Sequence, residues 1–308
     1  MKKNTPFQSV TTPVLDLHPS KYMNLLTDYG FKSVLKVQEL AIDFLNDLLE
    51  GAPHIQKITY LDKESLGRDK NNRIAVFDLL CEDDQNREFI VEIQRISQKF
   101  FLDRSVFYAS SRIRDNAPKG KEAFSNWDFY QKPLIFIGIL DFDIKESLPD
   151  QFEHFLQLCD IRSKKVFYEK LSFIFLELPK FERMIGNGLS ADSANLNKWL
   201  FAFKKLHTLE KAPEYLGKGP FKRLLEIAEI ANMTKKQKED YELSLKQLAD
   251  NYAIRMTARE EGAAKAKIEI IKNLLSAGEF SVSSIAKAAG VEEDYVLALK
   301  NELEAEKQ

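Results

Sequence analysis

The chain has 308 residues, 44% hydrophobic and 11% aromatic, which is enough apolar material for one large or two ordinary domains and excludes a disordered chain. Its 45 basic and 47 acidic residues leave a formal charge of −2, so any nucleic-acid affinity has to come from a local patch and not from the field of the whole molecule. Two cysteines, Cys81 and Cys159, and four scattered histidines exclude a disulfide framework or zinc knuckle, and both thiols are expected to be reduced and buried.

In chain order, residues 1–20 read as an N-terminal extension. Val37, Leu40, Ala41, Phe44, Leu45, Leu48 and Leu49 follow helical spacing and predict an amphipathic helix near 34–50, closed by Gly51 and Pro53. Asp28 and Lys32 precede it, with Asp28 readable as an N-cap or as a functional acid. Strands are expected over 55–61, 74–81 and 88–94, the last two forming a hairpin. A helix over 98–116 leads through a loop with Pro118, Gly120 and Pro133 to an apolar strand at 134–140. Beyond it we expect a helix near 149–160, a strand at 171–178 ended by Pro179, and helices near 195–207 and 220–232. The charged stretch 235–277 predicts one long helix, and 281–300 reads as two helices around a turn at Gly290. The second of these begins Glu292-Glu293-Asp294, which would repel phosphate, so a protein-contact module fits better than DNA binding.

No apolar segment is long enough to span a bilayer and none follows Met1-Lys2-Lys3 as a signal core, so a cytoplasmic protein without membrane contact is expected.

The chemistry concentrates in the hairpin. Asp78 interrupts one apolar run, and Glu92 and Gln94 sit in another, and burying a carboxylate without compensation costs several kcal/mol. Centring the turn on Gln85 sets Asp78 opposite Glu92, because paired positions then sum to 170. Alternation puts Gln94 on the face of Glu92. Carboxylates so placed, roughly 5 Å apart at Cβ, can share a hard divalent cation such as Mg²⁺. The bland alternative is that Asp78 pairs with a basic residue at a strand end and Glu92 faces solvent.

An Asp, a hairpin and then Glu-x-Gln, within the order helix, three strands, helix, strand, resembles the PD-(D/E)xK nuclease superfamily. More narrowly, the chain resembles the recombination-promoting nuclease and putative transposase family. The matching pieces are Thr27-Asp28-Tyr29-Gly30-Phe31-Lys32, Phe44-Leu45-Asn46-Asp47-Leu48-Leu49, Val91-Glu92-Ile93-Gln94, Asp103-Arg104 with Tyr108 and Ser110, and Leu176-Glu177-Leu178-Pro179-Lys180-Phe181. The resemblance implies an α/β, restriction-endonuclease-like core over 21–190; beyond it, periodicity and composition read as a helical extension over 191–234 and an α-helical C-terminal region over 235–308. It implies Asp78 and Glu92 as metal ligands, with Mg²⁺ or Mn²⁺ as the ion. Gln94 then stands where the superfamily has lysine. Glutamine can orient a water but supplies no charge.

Arg104, Tyr108 and Arg112 at i, i+4, i+8 form a stripe suited to a phosphate backbone, or else pair locally with Asp103 or Asp115. Glu39 is a further candidate ligand that helical geometry turns toward water, and Lys70 a loop lysine within reach of phosphate. The reading is a metal-dependent DNA endonuclease linked to recombination or a mobile element. The alternative is a degenerate nuclease fold that binds DNA or a protein without cutting. No small-molecule cofactor is expected, and a homodimer is left open.

Overall fold

The computed structural model describes residues 20–61, 78–117, 129–186 and 188–305. They separate into two compact units, one ending at Ser244 and the other running from Leu245. Residues expected as a helical extension, 191–234, lie within the first unit.

The first unit opens with two short helices, α1 (Asp28–Leu35) and α2 (Gln38–Leu48), where a single helix over 34–50 was expected. Extended backbone at Val37 breaks the helical ladder, and both helices still bury their apolar residues. Thr27 caps α1: its Oγ1 accepts the Gly30 N–H at 3.0 Å and donates to the Asn24 carbonyl at 2.8 Å. Asp28 is therefore the first helical residue and not the cap, and it pairs with Lys32 one turn on. A Cβ at Gly30 would lie 2.3 Å from the Asn24 carbonyl oxygen, so glycine is required there for close approach. In α2, Phe44 packs edge-on against Trp199 and Phe203, with ring centroids 5.7 and 5.6 Å away.

A six-stranded sheet follows, in the order β1-β2-β3-β4-β6-β5. β1 (Ile58–Tyr60), β2 (Leu79–Asp83) and β3 (Glu88–Gln94) form an antiparallel meander. Residues 74–77 of the expected second strand lie outside the described residues, as does Lys70. Pairs such as Leu79 with Val91 and Cys81 with Phe89 show the register centred on Gln85. The turn is tied by Asp83, whose Oδ1 accepts the N–H groups of Gln85 and Arg87 at 2.9 and 2.8 Å. Asn86 adopts φ 59°, a conformation this residue type tolerates better than most.

Helix α3 (Phe101–Asn116) carries the chain across to β4 (Leu134–Leu140), which pairs parallel to β3. β4 in turn pairs parallel to β6 (Val166–Glu177). The helix expected near 149–160 is instead strand β5 (Glu153–Cys159), antiparallel to β6 at the sheet edge. Its Phe155, Leu156 and Leu158 satisfy helical spacing, and pairing with β6 overrides that local signal. β6 starts five residues earlier than the expected 171, and Pro179 does not end a strand but sits in the first turn of α4 (Leu178–Ile185). Cys81 is buried, with its thiol pushed up to about 12 by burial, whereas Cys159 is exposed against expectation.

One face of the sheet packs on α3 through Leu80, Ile90, Phe101, Ala109, Phe136, Leu140 and Phe175. Burying side chains of this size stabilises by about 1.5–3 kcal/mol each. Gly138 faces Glu92 in register, and a Cβ there would press on the rings of Phe175 and Phe101 at 3.0 and 3.3 Å. Helices α5 (Asn195–Lys205) and α6 (Pro220–Ala228) complete the first unit. Trp199 of α5 donates its indole N–H to Asp47 at 3.0 Å.

Helix α7 spans Lys235–Ala277, the bounds read from composition. In its first turns, Tyr241 Oη accepts the Asn24 N–H at 2.8 Å. The second unit has its own small core of Ile271, Ile285, Ala286, Val296 and Leu299. These come from α7, α8 (Val282–Ala289) and α9 (Glu293–Ala305), with Gly290 left-handed at the α8 C-terminus.

Candidate functional site

Strand β3 presents Glu88, Glu92 and Gln94 to the face that α3 covers, and α3 answers with Arg112, Tyr108 and Arg104 one turn apart. The three pairs differ in chemistry.

Arg112 grips Glu88 bidentately, its Nε 2.8 Å from Oε2 and its Nη2 2.7 Å from Oε1, and Asn116 Nδ2 adds a third bond at 2.7 Å. Glu88 is fully buried and Arg112 is 9% exposed. This corrects the expectation for Arg112: a guanidinium committed to a buried carboxylate is a structural group, and the helix stripe turns inward at that end.

At the middle rung, Glu92 is 6% exposed, and its Oε1 accepts the Asp78 N–H at 3.1 Å. Asp78 returns the contact, its Oδ2 accepting the Ile93 N–H at 2.9 Å. Each carboxylate is thus oriented by the other strand's backbone. Burial raises the Tyr108 phenol above its ordinary range; the charge of Glu92 adds to that, Arg104 opposes it and Asp78 adds further.

At the outer rung, Arg104 donates through Nη2 to Gln94 Oε1 and through Nη1 to Gln98 Oε1 at 2.5 Å. Its guanidinium carbon lies 5.6 Å from the Tyr108 ring centroid and 5.8 Å from that of Phe101. Gln94 Nε2 donates to the Ile96 carbonyl at 2.9 Å. A primary amide has two N–H groups and two lone pairs, so each end of Gln94 keeps capacity for one more bond.

The donor set suits a hard divalent cation. Mg²⁺ is typically held by one or two carboxylates and completes its shell with waters and substrate phosphate, and Asp78 with Glu92 supplies that number. Among the described residues no group of three or more His, Cys, Asp or Glu is placed to hold a metal, so a caged, all-protein site is not what this arrangement offers.

The remaining candidates lie apart from this constellation in their contacts. Glu39 is exposed in the first turn of α2 and adds its charge to that of Asp47 in raising the Asp43 carboxyl, an effect led by burial. Lys32 is taken up by Asp28.

Sequence reasoning passed over two clusters. On the strand face opposite Gln94, Arg95 Nε lies 3.6 Å from Asp141 Oδ2, and Lys204 Nζ lies 2.6 Å from Asp141 Oδ1. At the end of β6, Glu177 is fully buried and receives the Ile144 N–H at 2.5 Å, Ser147 Oγ at 2.7 Å and Lys180 Nζ at 3.0 Å. His154 Nε2 lies 2.6 Å from the same carboxylate. That knot gives the Glu177-Leu178-Pro179-Lys180 piece a structural use: it pins the 141–152 connection to the sheet. The available signal was a carboxylate at the end of an apolar run, Asp141 directly after β4 and Glu177 as the last residue of β6.

Comparison with curated proteins and with solved structures returned no significant match. A family model described as PD-(D/E)XK nuclease family transposase matches residues 25–258, about three quarters of the chain, taking in the meander, α3 and β4. The chain therefore belongs to the PD-(D/E)XK nuclease family transposases.

Proposed function

We propose that this protein is a Mg²⁺-dependent DNA endonuclease acting in the cytoplasm on recombining or mobile DNA. Its family makes it a nuclease or transposase-type protein, and nucleases of this superfamily generally use divalent metals. The observation that carries the reading is the reciprocal bonding of Asp78 and Glu92, which ties each carboxylate to the other segment's backbone close to Gln94.

Asp78 and Glu92 would hold Mg²⁺, with Mn²⁺ as a substitute. The bound ion supplies charge neutralisation at a scissile phosphate and a more acidic water. The chain's own residues do the rest. Backbone N–H groups fix the two carboxylates, and Gln94 uses its remaining hydrogen-bonding capacity to orient the attacking water. Arg104 supplies, through Gln94 and alongside it, the positive charge that glutamine lacks in the lysine position. Tyr108 and Arg104 face the phosphate backbone, and Arg112 takes no part in that contact.

Cleavage of supercoiled plasmid with and without Mg²⁺ tests this, with Asp78→Asn and Glu92→Gln as matched controls. A second reading, binding without cutting, is favoured by Gln94 and by the lack of a third ligand among the described residues. It predicts plasmid retention without nicking.

A further inference from the structure

The Gln94 side chain is held at both ends. Its Nε2 donates to the Ile96 carbonyl at 2.9 Å, and its Oε1 accepts from Arg104. Turning the amide over would exchange donor and acceptor, setting N–H against N–H at Arg104 and oxygen against oxygen at Ile96. The sense of the amide, and with it what each end offers to a water, therefore depends on both anchors. Arg104 is carried by α3. Ile96 belongs to the connection 95–100 and lies outside every strand pairing, so its carbonyl needs another support.

Arg95 stands between the two residues and turns to the opposite face of the strand. Its Nε lies 3.6 Å from Asp141 Oδ2, and the Asp141 N–H donates to the Gln94 carbonyl at 2.9 Å. Asp141 thus holds the backbone of one residue and the side chain of the next. Lys204 Nζ takes the other carboxylate oxygen at 2.6 Å and lies 3.5 Å from Glu182 Oε2, which fixes Asp141 in turn. Burial lowers the Arg95 pKa from its ordinary value, and the charge of Asp141 and the phenol of Tyr241 oppose that. For stability alone an arginine is a poor choice here. Its side chain is 20% exposed, and its Nη1 is buried without a hydrogen-bond partner among the described residues. A buried donor left unmade costs about 1–3 kcal/mol, and apolar side chains of similar volume often do as well as a buried ion pair.

We propose that Arg95 is a positioning residue for Gln94: by clasping Asp141 it fixes the backbone at 95–96, hence the Ile96 carbonyl, hence the sense of the Gln94 amide. Arg95 faces away from the site and acts only through position 94. This role rests on the nuclease reading of Gln94.

Arg95→Met keeps the stem of the side chain and removes the clasp, Asp141→Asn removes the charge that receives it, and Arg95→Lys keeps a cation. All are compared with the natural full chain at equal concentration of protein shown to be folded by circular dichroism. The first readout is the Gln94 side-chain amide in ¹H–¹⁵N spectra of glutamine-labelled protein, identified by its loss in Gln94→Met. The natural protein should show one sharp pair with one slowly exchanging proton. Arg95→Met and Asp141→Asn should broaden that pair or move it toward a free amide, and Arg95→Lys should keep it. The second readout is plasmid nicking with Mg²⁺, where kcat should fall roughly 10- to 100-fold in Arg95→Met and Asp141→Asn with KM unchanged, and Arg95→Lys should recover much of the loss. A Gln94 amide pair that stays natural in Arg95→Met would overturn the proposal, even if the melting temperature falls. A natural protein that does not nick, with its Gln94 pair still governed by Arg95, would overturn the nuclease reading and leave the positioning role standing. Nicking by a protein whose Gln94 pair is indifferent to position 95 would do the reverse.

Discussion

Glu88 and Glu92 lie four residues apart on one strand, face the same helix and are both nearly inaccessible, yet their surroundings differ in kind. Glu88 meets a guanidinium and an amide that together neutralise and saturate it. Glu92 meets the backbone of a strand that brings a second carboxylate, and a phenol. A buried acid is thus not by itself a catalytic signal. What distinguishes the two in these contacts is that Glu88 meets a guanidinium, whereas Glu92 meets the backbone N–H of a residue that itself carries a carboxylate; Glu177, held by Lys180, Ser147 and the Ile144 N–H, falls with Glu88.

Removing the guanidinium should break the first member of the comparison most severely. Arg112→Ala leaves buried Glu88 with only the Asn116 amide and the Lys132 ammonium 4.0 Å away, and denaturant titration should show a loss of about 3–5 kcal/mol. Glu92→Gln should change the same titration little in the absence of metal. If both substitutions destabilise equally, Glu92 is a structural acid like Glu88.

The outer rung sharpens the comparison. Arg104→Ala should lower the cleavage rate about 10²-fold and weaken duplex binding by much less than that. Gln94→Lys in that background should restore much of the rate by putting the cation on the strand. Failure of the lysine to rescue, with the single Arg104→Ala variant impaired, would mean that Arg104 acts on the phosphate backbone and not through position 94.

Gly30→Ala tests whether the first family-like segment is structural. Its Cβ would meet a backbone carbonyl that cannot step aside, so a loss of about 1–3 kcal/mol is expected from thermal or chemical unfolding. The smallest effect is electrostatic. Burial, with the charges of Asp47 and Glu39, raises the Asp43 carboxyl in the folded state, so its ionised form is a cost at neutral pH. Asp43→Asn should therefore melt higher than the natural protein at pH 7. That gap should close as the pH falls through the raised folded value toward the ordinary one, where both states are protonated. A gap that widens in acid would reverse the assigned sign.

Much of this site could be read from the residues because its determinants are local. A polar turn symmetric about Gln85 sets the hairpin register, and two apolar runs of strand length set β3 and β4. Arg112 was misread because spacing along a helix shows which residues share a stripe but not what that stripe faces. Glu88 held the missing clue: it shares parity with Glu92, so a strand acid and a helix cation were both waiting for partners. β5 was misread for a different reason. An edge strand with Phe155, Leu156 and Leu158 fits helical spacing as well as strand pairing, and the deciding contact is with β6, supplied by tertiary structure. The split of α1 from α2 turns on the backbone of Val37, a residue whose side chain fits the helical stripe on either reading.

The most direct test of the account is plasmid nicking by purified natural protein, Asp78→Asn and Glu92→Gln at equal concentration of folded protein, with Mg²⁺ and with chelator. The account predicts Mg²⁺-dependent nicking by the natural protein alone, with all three equally stable without metal. Equal nicking by all three, or nicking that survives the chelator, would contradict it.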